Sequence, residues 1–154
     1  MRRQSGEVIH VGSERVDIDK LHQKAAAGNV VAQCVLGICY LDGIDVGVDY
    51  AQALRLLSAA AEHGAPRAVA ALARMYSEGL GVSKNIGEAV RLYEAAASSG
   101  EFLAQIALGR IYSSGAGVPT DPAVARKWYA AAAAQDVDEC DELREARDYV
   151  NESA

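Results

Sequence analysis

Small and apolar residues recur along the chain three or four positions apart, and the stripes they form stop at glycines. Ala68, Leu72 and Tyr76 place one stripe on a helix that ends at Gly79. Ala89, Leu92, Tyr93 and Ala96 place a second on a helix that ends near Gly100. Both are then repeated, as Ala104, Leu108, Tyr112 and Gly115, and as Ala125, Trp128, Tyr129 and Ala132. Each partner lies 36 positions further on, as Ala104 does from Ala68. One interval earlier stand Ala32, Leu36, Tyr40 and Gly43, then Ala53, Leu56, Leu57 and Ala60. A repeat of this length predicts an all-α solenoid of stacked helix-turn-helix pairs.

The links between stripes carry their own signals. Gly43, Gly79 and Gly115 fit the left-handed position that follows a helix, which glycine adopts cheaply. The second glycine and the valine of G-x-G-V then reverse the chain, and Asp49, Asn85 or Asp121 supplies a capping oxygen for the second helix. Pro122 suits the first turn of such a helix. In the first unit GIDV places Asp45 where the second glycine belongs, so that turn is expected to be distorted or repaired by Gly47.

On this reading the full units run 29–64, 65–100 and 101–136. A half repeat, 17–28, precedes them, and residues 1–16 form a flexible arm in which VIHV is a candidate short extended segment. After Asp136 the register is lost. Leu143, Ala146, Tyr149 and Val150 form a modest stripe on an acidic segment, so residues 137–154 are expected to be a C-terminal capping helix, with an acidic tail for a partner as the alternative.

Composition narrows the functions. Hydrophobic residues make up 51% of the chain but aromatic ones only 6%, so the core is one of closely approaching helices. The net charge of −6 disfavours nucleic acid, which needs clustered Lys and Arg. No apolar run approaches the ~20 residues that cross a bilayer, and the start lacks an uninterrupted apolar signal region, so a cytoplasmic place with no membrane partner is expected. Cys34, Cys39 and Cys140 lack a C-x-x-C pair and read as reduced thiols.

The units resemble the Sel-one-like repeat family, a relative of the tetratricopeptide repeats. The resemblance rests on A-x-x-x-L-G/A-x-x-Y-x-x-G-x-G-V at Ala68–Val82 and Ala104–Val118, followed by D/N-x-x-x-A-x-x-W/L-Y-x-x-A-A at Asn85–Ala96 and Asp121–Ala132. It covers residues 17 to 136 and implies a right-handed α-α superhelix. The resemblance further implies an adaptor or scaffold; some bacterial members resemble immunity proteins against secreted effectors. Ala73 and Asp136 depart from the pattern, each standing where the family has glycine.

No chemistry is assembled. GLGVSKN and GAGVPTD follow helices and lack the strand, third glycine or Lys-Ser/Thr pair of a nucleotide loop. His10, His22 and His63 share no spacing and read as exposed helix-end residues, so no metal, cofactor or catalytic residue is expected. A small hydrolase is the remote reading.

By its likeness to tetratricopeptide geometry, the concave face falls on the first helices and would hold a protein or peptide partner. Its candidate residues are Val31, Cys34, Ile38 and Leu41 in the first unit, Arg67, Arg74 and Glu78 in the second, and Leu103, Ile106, Arg110 and Ser114 in the third. Arg74 and Arg110 share one repeat position. Two such charges ~10 Å apart in water repel by only ~0.4 kcal/mol, so the pair is tolerable without a ligand. The expectation is that an acidic or C-terminal segment of a partner binds them, with internal pairing of both arginines as the competing reading. An immunity or inhibitor role against a cognate toxin is the alternative function. Exposed Leu41, Ile38 and Leu103 are expected to suit a weak homodimer as readily as a monomer.

Overall fold

The computed structural model describes residues 17–153, and among them the chain forms eight α-helices and no strand. A lone helix, α1 (Ile18–Ala26), is followed by three hairpins. They are α2 (Val30–Asp42) with α3 (Tyr50–Glu62), α4 (Pro66–Glu78) with α5 (Ile86–Ser98), and α6 (Phe102–Ser114) with α7 (Pro122–Ala133). A last helix, α8 (Asp141–Glu152), packs mainly on α7 and also touches α6. Each helix packs on its neighbours in the chain, which is the quasi-one-dimensional stacking of a solenoid.

Local chemistry sets the helix ends. Gly43, Gly79 and Gly115 close the first helices with φ of 70°, 70° and 71°. Asp49, Asn85 and Asp121 each accept a bond from the backbone N–H three residues on, at 3.1, 3.0 and 3.2 Å. Asn29 and Glu101 do the same for α2 and α6, a role the repeat pattern did not disclose. In the first turn Gly47 does not take over: Asp45 itself is left-handed, with φ of 59°. Aspartate tolerates that region better than most side chains. At the matching place in the next two units a Cβ on Gly81 would lie 2.6 Å from Cβ of Tyr50, and one on Gly117 2.8 Å from Ile86. Glycine there serves close packing as well as turning.

The core follows the stripes. Leu36, Leu57, Met75, Ile106, Leu108 and Leu143 are its largest fully buried side chains. Alanines fill the helix crossings, and the 37/73/109 position stays small because it faces the second helix of its own unit. A Cβ on Gly37 would meet Leu57 at 2.7 Å, and one on Gly109 would meet the Tyr129 ring at 2.7 Å. Ala73 occupies the position in the second unit, buried beside Tyr93. At the far end Leu143 and Ala146 are buried, and Ala146 joins Ile106, Tyr129 and Ala132, with Tyr149 and Val150 alongside. The acidic helix α8 therefore covers the end of the stack with its apolar stripe. Its N-cap is Cys140, without a side-chain bond, and none of the nearby acidic residues takes that place.

The thiols of Cys34, Cys39 and Cys140 are free, and burial pushes those of Cys34 and Cys39 up. His22 is not a helix-end residue: it is half-buried within α1, with Nε2 2.8 Å from the Tyr40 hydroxyl and its ring edge-on to Tyr40. His63 does sit at a helix end, as the C-cap of α3. His10 and the arm expected over 1–16 lie outside the described residues.

Candidate protein-binding groove

The first helices α2, α4 and α6 line up side by side, and between them and α8 lies a cleft of about 330 Å³. Eight of the eleven residues singled out in the sequence line it: Ile38, Leu41, Arg67, Arg74, Glu78, Leu103, Ile106 and Arg110. Three do not. Val31 is 71% exposed but outside the cleft, and Ser114 bonds back to the Arg110 carbonyl oxygen of its own helix at 2.8 Å. Cys34 is only 7% exposed and belongs to the core with Leu41, Leu72 and Met75.

The reason is that a first helix touches both its own partner and the next unit, so its buried arc is wider than one stripe. The whole 34/70/106 position is buried in consequence, and Ile106, at 1% exposure, belongs to the groove floor. Leu41, at 3%, is likewise floor and not an exposed dimer patch; Leu103, at 48%, remains exposed.

The two stacked arginines are both committed within the chain. Arg74 pairs with Asp42 on α2. Arg110 grips Glu145 of α8 with two nitrogens: Nη2 donates to Oε2 at 2.6 Å, and Nε donates to Oε1 at 3.0 Å. Tyr129 donates its hydroxyl to the same Oε1 at 2.7 Å. The Arg110 bonds, with that of Tyr129, hold the Glu145 carboxyl below its usual range against the opposing effect of burial. Burial first, then this carboxylate, pushes the Tyr129 phenol up. Internal pairing is thus the arrangement found for both guanidinium groups, and the acceptors are not the neighbouring Glu78.

Tyr93, Glu101, Glu142, Ala71 and Ala107 also line the cleft and were not singled out. Ala71 and Ala107 lie four positions after Arg67 and Leu103, one helical turn along the same face, a spacing that marks them in the sequence. Glu142 stands beyond the point where the repeat register ends, and no periodicity points to it. Among the described residues no group of three or more His, Cys, Asp and Glu side chains is placed to hold a metal, and no helix is long and apolar enough to cross a membrane.

The Sel1 repeat model matches residues 30–64, 66–101 and 103–137. The chain belongs to the Sel1 repeat family. No curated protein matches it. Among solved structures, a Sel1 repeat protein from Oxalobacter formigenes is 38% identical, with a TM-score of 0.70 over 88% of this chain and 98% of that one. A protective antigen present in uropathogenic Escherichia coli strains, which displays the same fold, is 32% identical with a TM-score of 0.72. The match spans 91% of this chain and 34% of the antigen, about a third of its length. Sel1 repeat proteins are generally protein-interaction modules and not typically enzymes. The groove of this Sel1 array is accordingly considered as a binding surface.

Proposed function

We propose that the protein is a non-enzymatic adaptor or scaffold module that holds a protein or peptide segment in its concave groove. One observation carries this reading: three first helices and the capping helix converge on a cleft that combines a buried apolar floor, Leu41 and Ile106, with charged side chains at its rim. Apolar floors supply contact area, while fixed rim charges select register and partner. An acidic segment that sought Arg74 or Arg110 would have to displace Asp42 or Glu145 from it. Arg67, by contrast, makes no ion pair or side-chain hydrogen bond among the described residues.

The reading is tested by selecting displayed random peptides on the natural protein and on an Ala71→Trp, Ala107→Trp variant whose helicity is verified by circular dichroism. These substitutions fill the cleft from half-buried positions on α4 and α6, which is why the folded state of the variant is verified first. Peptides retained by the natural chain and lost by the filled variant are the expected result. Equal retention by both proteins would move recognition away from the groove.

A further inference from the structure

The charges around the groove do not cancel. Arg74 is matched by Asp42 and Arg110 by Glu145. Arg67 and Glu101 also line the cleft; Arg67 makes no salt bridge among the described residues, and Glu101 caps α6 with its carboxylate, so the lining sets Arg67, Arg74 and Arg110 against Asp42, Glu78, Glu101 and Glu142. Glu78 and Glu142 line the cleft without a salt bridge or side-chain hydrogen bond among the described residues, and Glu142 lies near enough to Arg110 to favour its charge. Glu78 is exposed at the last turn of α4, where the carboxyl end of the helix adds partial negative charge. Asp42 ends α2 in the same way at the equivalent place in the unit before. On the side towards the start of the array, the apolar Ile38 and Leu41 of α2 line the cleft beside Asp42, and Val31 and Val35 are exposed on the same helix outside it.

We infer that the occupant of this groove is an extended segment of a partner protein bearing a lysine or arginine toward Glu78 and Glu142 and an apolar side chain toward α2. This rests on the groove reading above and supplies the sign of the partner's charge, opposite to the one the stacked arginines suggest in the sequence. Spacing follows from the fold. Directly packed helices stand ~8–10 Å apart, first helices of adjacent units stand at least that far from one another, and an extended chain advances ~3.3 Å per residue. One unit therefore spans at least about three residues, which puts the basic side chain about three to six positions from the apolar one. The chain's net charge of −6 would draw any cation weakly to the surface, so the inference concerns this place and this spacing.

The decisive experiment takes peptides selected on the natural protein and measures their affinity by fluorescence anisotropy, on the natural chain and on two charge-matched variants. One is Glu78→Lys with Glu142→Lys; the other, away from the groove, is Glu62→Lys with Asp138→Lys. The expected outcome is that selected peptides carry Lys or Arg at that spacing from an apolar residue. They should lose at least about tenfold in affinity on the groove variant, more than on the control, and weaken with added salt. Selected peptides that are acidic, or cationic ones that lose affinity equally on both variants, would overturn the inference. The cleft-filled Ala71→Trp, Ala107→Trp protein separates the two levels. If filling abolishes binding and charge reversal does not, the charge inference falls and the groove stands. If filling has no effect, both fall.

Discussion

The first and third units share one backbone plan and differ in almost everything laid upon it. In the third, Gly109 is pressed against Tyr129, Tyr129 bonds to Glu145, and Arg110 closes on the same carboxylate. In the first, Gly37 faces Leu57, the equivalent of Arg110 is Ile38, and the face of α2 is apolar. Their equivalent glutamines, Gln33 and Gln105, differ likewise. Gln105 donates to the Ala97 carbonyl oxygen at 3.1 Å and accepts from Gln135 at 2.7 Å. Gln33 donates to the Ala25 carbonyl oxygen, but its own buried oxygen has no partner. The fold depends on the small and apolar positions the units hold in common, and the polar groups laid over them give each unit its own surface.

The largest effect should be the one the units share. Leu36→Ala and Leu108→Ala each remove a fully buried side chain, and each is expected to cost ~2–5 kcal/mol in denaturant unfolding. A much smaller loss at Leu36 would show that the first unit is not an equal part of the core. Next comes Gly109→Ala, whose methyl group would lie 2.7 Å from an aromatic ring held by Glu145, at an expected cost of ~1–3 kcal/mol. Gly37→Ala should cost less, because Leu57 is not tethered by a hydrogen bond and can repack. The order of the two melting temperatures tests this.

The glutamines separate the units further. Gln135→Ala strands the buried Gln105 oxygen and should cost ~1–3 kcal/mol, whereas Gln33→Leu removes an oxygen that is already unpaired and should be neutral or stabilising. Equal destabilisation by both would contradict the difference. The smallest loss is expected from Glu145→Gln, since the pair is partly exposed and such pairs are worth at most ~1 kcal/mol. Its signature is the pH dependence. The folded carboxyl titrates below its unfolded value, so its contribution is present above that unfolded value, ~4.3, and lost as pH falls through the folded one. The natural chain should therefore lose its advantage over the variant on acidification, and a constant difference from pH 7 to pH 3 would remove Glu145 as the cause.

How far the sequence was legible depends on how the information is written. The helices, their glycine ends and the capping oxygens Asp49, Asn85 and Asp121 are local and repeated, so three copies made them plain. The stripe Leu143, Ala146, Tyr149 and Val150 was also readable, because an open stack demands an apolar cover. What could not be read was the fate of the two arginines. Arg74 meets Asp42 from 32 positions away, and Arg110 meets Glu145 from 35 positions away. Glu145 lies where the register has ceased to hold, so nothing periodic linked them. Cys34 and Leu41 were misread as surface because a single-helix stripe omits the second face that the adjacent unit covers.

The neighbour-to-neighbour stacking also has a bearing on how the molecule comes into being. Because both groove ion pairs join residues about one repeat apart, the topology is of low contact order, a class that folds rapidly. Each hairpin can close on the one before it as the polypeptide leaves the ribosome. The acidic side of the groove is completed later, since Glu142, and Glu145 that pairs with Arg110, arrive only with α8. A chain truncated after residue 136 should resist protease through its earlier units while leaving Arg110 without its carboxylate. Emergence of α8 would then cover the third unit and bring the Glu145 carboxylate to Arg110 in the same step.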